Sequence, residues 1–215
     1  MTKRKGSNSN PVAAGIVDSF VRRSHQVIQL GHDRLVPKDL AELEEPAITG
    51  KLVDAIKEAL DADDAPRWSK HFWPVDDEPV TVGTKVGKDR PKIDITVYST
   101  SKKPTRLFRF EAKRLSSTTH PAGIYLGEDG MLSLIKGHYG LVEWAGMIGY
   151  VQSESCSDWA DKIRNAVTTD PKKHLANEPV KFAELGSGEL KDVFYAVHAH
   201  KNQNCRITHI LLMAS

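Results

Sequence analysis

Two apolar runs of this chain carry charges in their interior. In KIDITVYS and LFRFEAKRL, Asp94, Glu111 and Lys113 stand among residues that otherwise favour strands. A charge in such a run costs free energy unless it is solvated, paired or bound to a metal. Alternate strand residues share a face, so Phe108, Phe110 and Ala112 point one way while Arg109, Glu111 and Lys113 point the other. Ile93, Ile95 and Val97 oppose Asp94 in the same manner, and a hairpin through TSKKPT can set Asp94 beside Glu111. Two carboxylates then converge near one ammonium. With the backbone carbonyl of Ala112 they suit a hard divalent cation, Mg²⁺ or Mn²⁺, which keeps waters and takes phosphate oxygens as further ligands. Such an ion activates water and neutralises phosphate charge. Lys113 can orient that water or stabilise the charge that develops on the phosphate.

The elements that must position these groups are legible from periodicity. Asn10 and Pro11 form a helix start, and Val12, Ile16, Phe20, Val27 and Leu30 mark an apolar stripe to about residue 30. Leu40, Leu43, Ile48, Leu52, Ile56 and Leu60 fall near helical spacing, with Pro46 either kinking that helix or starting a second one. WSKHFWPV, PVTVGTKVG, KIDITVYS and LFRFEAKRL read as strands of an antiparallel meander, separated by turns at Asp76–Asp77, Gly87–Asp89 and TSKKPT. A loop-rich stretch follows, and LVEWAGMIGYV reads as a helix passing into a strand. CSDWADKIRNAVTTDP is a helix, and DVFYAVHAHKN and CRITHILLMAS are two strands joined around Asn202–Asn204. The expectation is one mixed α/β domain over residues 11–215 with a central sheet, after a disordered tail at 1–10.

Asp94 followed by Glu111-Ala112-Lys113 resembles the D…(D/E)XK motif of the PD-(D/E)XK nuclease superfamily, and the order of elements agrees. The Pro of that name stands just before the Asp, whereas here Ile93 holds that place and Pro91 lies three residues upstream of Asp94. In the superfamily a helix before the meander often supplies an acid to the metal site. EEPAITGKLVDAI is similar to that helix, which implies Glu45, with Glu44 the second candidate. The resemblance implies a restriction endonuclease-like core and a Mg²⁺-dependent deoxyribonuclease. Asp94, Glu111, Ala112 and Glu45 would hold the ion, and Lys113 would be catalytic beside Asp94, Glu111 and Glu45. EWAGMIGYV and YAVHAHKNQNCRITHILL look like the closing segments of bacterial members associated with restriction or anti-phage systems. DNA is the implied partner. With no separate target-reading domain in view, target recognition is expected from a partner subunit or an oligomer, and cutting both strands calls for two copies, as in a homodimer. The alternative is a catalytically inactive nuclease-fold subunit that binds nucleic acid or scaffolds a complex.

Composition narrows the classes. A length of 215 residues suits one well-buried domain, and no apolar run approaches the ~20 residues of a membrane span. MTKRKGSNSNP leads its basic residues into Ser, Asn and Gly, which is not a secretory signal, so a cytoplasmic protein without membrane attachment is expected. Two distant cysteines, Cys156 and Cys205, fit a reducing compartment. A net charge of +2 does not by itself announce a nucleic-acid binder. His198, His200, Cys205 and His209 offer zinc-type ligands, but alternation along strands explains their spacing. His198 or His200 could also reach a substrate phosphate. GEDGMLSLIKGHYG lacks the Gly-Lys-Ser/Thr of a phosphate loop and reads as a turn. SKKPTR, with Arg109 and Arg114, becomes a phosphate-contact patch only if the nuclease reading holds.

Overall fold

The computed structural model describes residues 11–185 and 192–215, with side chains from residue 19 onward. The stretch 1–10, expected to be a disordered tail, lies outside the described residues. Among the described residues, four α-helices, α1 (Pro11–His32), α2 (Glu45–Asp61), α3 (Met131–Ile135) and α4 (Cys156–Thr169), accompany seven strands. The strands are β1 (Phe72–Pro79), β2 (Lys92–Ser99), β3 (Arg106–Leu115), β4 (Trp144–Val151), β5 (Ala183–Glu184), β6 (Val193–His200) and β7 (Gln203–Met213). They form one sheet in the order β1-β2-β3-β4-β7-β6-β5. The first three strands are the expected antiparallel meander. β3 with β4 and β4 with β7 are parallel, and β6 returns antiparallel to β7 and β5. The chain is therefore α/β with a mixed sheet flanked by helices.

Each face of the sheet has its own core. On one, Val21 and Ile28 of α1 and Ile48, Leu52 and Ile56 of α2 pack on Ile95, Val97, Phe108, Phe110, Ile148 and Ile210. On the other, Leu132 and Ile135 of α3 and Trp159, Ile163 and Val167 of α4 pack on Leu115, Met147, Phe194, Ile207 and Leu211. Each fully buried aliphatic contributes about 1.5–3 kcal/mol, which makes these faces the main source of stability. His25 adds a polar staple between α1 and β7. Its Nδ1 lies 2.8 Å from the Val21 carbonyl and its Nε2 2.8 Å from Thr208 Oγ1.

Four sequence expectations are corrected. LVEWAGMIGYV contains no helix, because Trp144–Val151 is strand throughout. Burial on both faces of β4 removes the alternation that would have marked it. Gly146 and Gly149 are there for packing: a Cβ on Gly146 would lie 2.3 Å from Phe110, and one on Gly149 would lie 2.5 Å from Leu115. PVTVGTKVG is a loop after β1, in which Val80 turns into the core while Gly83 and Gly87, both at φ +58°, break the extended path. The segment from Leu40 to Glu44 is not helical, and Pro46 sits in the first turn of a helix that begins at Glu45. The turn between β6 and β7 falls at Lys201–Asn202, one residue ahead of its expected place, with both residues at positive φ.

Candidate active site

The register of the meander brings the acids together. β2 pairs with β3 as far as Ile95 opposite Phe110, so Asp94 comes next in line with Glu111. There Asp94 Oδ2 accepts a hydrogen bond from the Ala112 amide at 2.6 Å. Glu111 lies on the face of β3 opposite Phe108, Phe110 and Ala112, as alternation requires, and Lys113 reaches from that strand to the start of α2. Glu111 is only 5% exposed. Its Oε1 accepts from Lys113 Nζ at 3.0 Å, while Oε2 is buried without a hydrogen-bond partner.

Glu45, the first residue of α2, reaches the same place. Its Oε1 accepts from Lys113 Nζ at 3.0 Å and its Oε2 from the Arg114 amide at 3.2 Å. Gln152, just past β4, anchors the approach to that helix by donating to the carbonyls of Leu40 and Leu43, each at 3.0 Å. Glu44 turns outward to pair with Arg114 at 2.7 Å. Of the two glutamates, Glu45 is therefore the one that faces Lys113.

Burial and the proximity of Asp94 raise the Glu111 carboxyl to about 7, although Lys113 pulls it back. Burial raises Asp94 as well, against the Ala112 hydrogen bond and Lys113. Burial alone would lower the Lys113 ammonium, but Glu111, Glu45 and Asp94 outweigh it and the net shift is upward. The lysine is firmly cationic, and the acid pair is still short of positive charge. Tyr139 comes close enough to ease Glu111, yet no hydrogen bond of ordinary length and angle reaches Oε2.

A cleft of about 590 Å³ opens beside Glu111 and Lys113. Its other walls are Val82 and Lys85 from the loop after β1, and Glu128, Asp129, Ser133 and Lys136–Tyr139 from the segment around α3. Arg109 ties that segment down by donating from Nη1 to the Tyr139 carbonyl at 2.7 Å. Gly137 and Gly140, at φ +76° and +85°, permit the turn. Sequence reasoning missed Lys85, Lys136, His138 and Tyr139. One available signal was Arg109, which shares the face of Glu111 and Lys113 and needs a partner when half-buried.

The remaining candidates lie elsewhere. His198 is fully buried, with Nδ1 2.9 Å from the His174 carbonyl, so it does not reach a phosphate. His200 ends β6, and His209 stacks on Phe194 with ring centroids 4.8 Å apart. Arg109 and Arg114 are engaged as described, and Lys102 and Lys103 are exposed on the β2–β3 hairpin. Among the described residues no group of three or more His, Cys, Asp or Glu side chains is gathered to hold an ion. The site as it stands is two acids, Asp94 and Glu111, with Lys113 held between Glu111 and Glu45. The orphaned Glu111 oxygen and the raised acid pair fit a hard cation held by two carboxylates, with waters and phosphate completing its shell.

No family model, curated protein or solved structure matches the chain.

Proposed function

We propose that the protein is a metal-dependent nuclease of the PD-(D/E)XK kind that hydrolyses phosphodiester bonds in DNA. One observation carries this reading: Glu111 and Lys113 line a cleft, Asp94 is bonded to the Ala112 amide that lies between them in the chain, and a buried Glu111 oxygen has no hydrogen-bond partner. Asp94, Glu111 and the Ala112 carbonyl are the groups that would hold Mg²⁺ or Mn²⁺. When bound, the ion supplies a Lewis acid for the phosphate and acidifies a water. The chain itself supplies a preorganised charge. Lys113 is fixed at 3.0 Å from each of Glu45 and Glu111 and lines the cleft, so it can stabilise negative charge developing on a phosphate without first reorganising. Glu45 acts here through Lys113, with both of its oxygens engaged. The segment held by Arg109 narrows the cleft and limits solvent around the acids.

The Glu45–Lys113–Glu111 network also favours a second reading, the catalytically silent subunit, because a structural ion-pair chain would look the same. Cleavage of circular and linear DNA, assayed in Mg²⁺, in Mn²⁺ and in EDTA, separates them. The nuclease reading expects products with either ion and none in EDTA. Products in EDTA at the same rate would remove the metal from the mechanism, and no products under any condition would leave the silent subunit.

A further inference from the structure

The hairpin end of the meander carries an aromatic row. Trp73 pairs with Tyr98 across β1 and β2, and Tyr98 pairs with Leu107 across β2 and β3. Directly paired residues share a face. Phe72 and Phe108, their chain neighbours, are buried in the core under α1 and α2, so the row lies on the opposite face, the one that carries Glu111. Trp73 is 42% exposed and Leu107 38%. The indole and phenol rings are stacked, 5.4 Å apart and 17° from parallel, and the Tyr98 hydroxyl donates to Glu78. The rings hold one another in place, and Trp73, on the edge strand β1, leaves much of its indole open to solvent.

We propose that this row is a stacking platform for the bases of single-stranded DNA entering the cleft, an inference that rests on the nuclease reading. Two observations choose this occupant. Lys102 and Lys103 stand exposed in the hairpin that joins Tyr98's strand to Leu107's, placing positive charge at the same end of the sheet as the row, as a phosphate backbone requires. Glu111 lies four steps along β3 from Leu107, about 13 Å at the rise of a strand, so a strand stacked on the row reaches the acids over a short span. Flat aromatic faces bind bases regardless of sequence, but only where the bases are unpaired. A second copy of the chain is a poorer occupant. Three partly exposed side chains offer far less than the ~800 Å² per partner of a standard interface.

Binding of a fluorescein-labelled dT12 strand and of a 12-base-pair duplex, followed by anisotropy in EDTA, tests the platform apart from any cleavage. Trp73→Ala is expected to weaken dT12 binding about tenfold or more, from the loss of one stacked base. Trp73→Phe is expected to stay within about threefold of wild type, and duplex binding to change little. Leu107→Glu, which sets a negative charge in the row, gives a second route should Trp73→Ala fail to fold. A Trp73→Ala variant that melts at a lower temperature yet binds dT12 as wild type does would show a cross-strand pair that merely stabilises the sheet, and overturns the proposal. So would unchanged dT12 affinity in folded Trp73→Ala and Leu107→Glu, or a dimer in sedimentation that Trp73→Ala dissolves. Tight, Trp73-dependent dT12 binding without cleavage of dT12, circular or linear DNA in Mg²⁺ or Mn²⁺ would retain the platform and reject the nuclease.

Discussion

At the scale of single residues, Glu111 bears the clearest mark of function over stability. Its carboxyl is raised to about 7 against an ordinary 4.5, so at pH 8 the fold carries an ionised acid that the unfolded chain holds more easily. Glu111→Gln should therefore melt a few degrees above wild type at pH 8 while cleavage collapses, a pairing that circular dichroism and a plasmid assay read together. Lys113→Ala should lower turnover by roughly two to three orders of magnitude, as loss of one preorganised donor does. It should also destabilise the fold, because Glu45 and Glu111 lose their common cation. The pair Asp94 and Glu111 was legible in the sequence from the short hairpin, although the strict period of two ends there: the β2–β3 ladder stops at Ile95, and Ile93 packs in the opposite core from Ile95 and Val97. Tyr139 was not, because it arrives on a loop whose path is set by one long-range hydrogen bond from Arg109.

At the scale of elements, the site depends on β3 lying between an antiparallel and a parallel neighbour. The meander side was readable from turn residues. The parallel side was not, since β4 is buried on both faces and its glycines resemble a helix-to-strand junction until the facing Phe110 and Leu115 are known. Gly146→Ala should cost about 1–3 kcal/mol by overpacking, because the new methyl meets the Phe110 ring beneath the strand that carries Glu111. Urea denaturation of the variant checks this. Unchanged stability there would show that β4 can move away from Phe110. The start of α2 was legible only as two options for Pro46. Gln152, more than 100 residues downstream, holds the chain that leads into it.

At the scale of the whole molecule, buried histidines and raised acids oppose one another as pH falls. His25 and His198 are lowered by burial to about 4 and His209 to about 3, from an ordinary 6.5. The unfolded chain therefore takes up more protons than the fold below pH 6.5, and the stability these residues contribute above that pH is lost on acidification. Glu111 and Asp94 act with the other sign, because the fold takes up protons first as pH drops below about 7. Three buried histidines lose stability on acidification where Glu111 and Asp94 regain it, and the histidines are the larger group. Melting temperature should fall from pH 7 to pH 5, and more steeply in Glu111→Gln, which lacks the counterweight. A flat profile would mean that the histidines are not buried as neutral rings. The central claim is that Asp94 and Glu111 stand together in order to hold a cation, and thermal melts with and without Mn²⁺ test it most directly. Wild type and Lys113→Ala should both gain stability from Mn²⁺, while Asp94→Asn and Glu111→Gln should not. No response to Mn²⁺ in wild type, or an equal response in all four proteins, would contradict it.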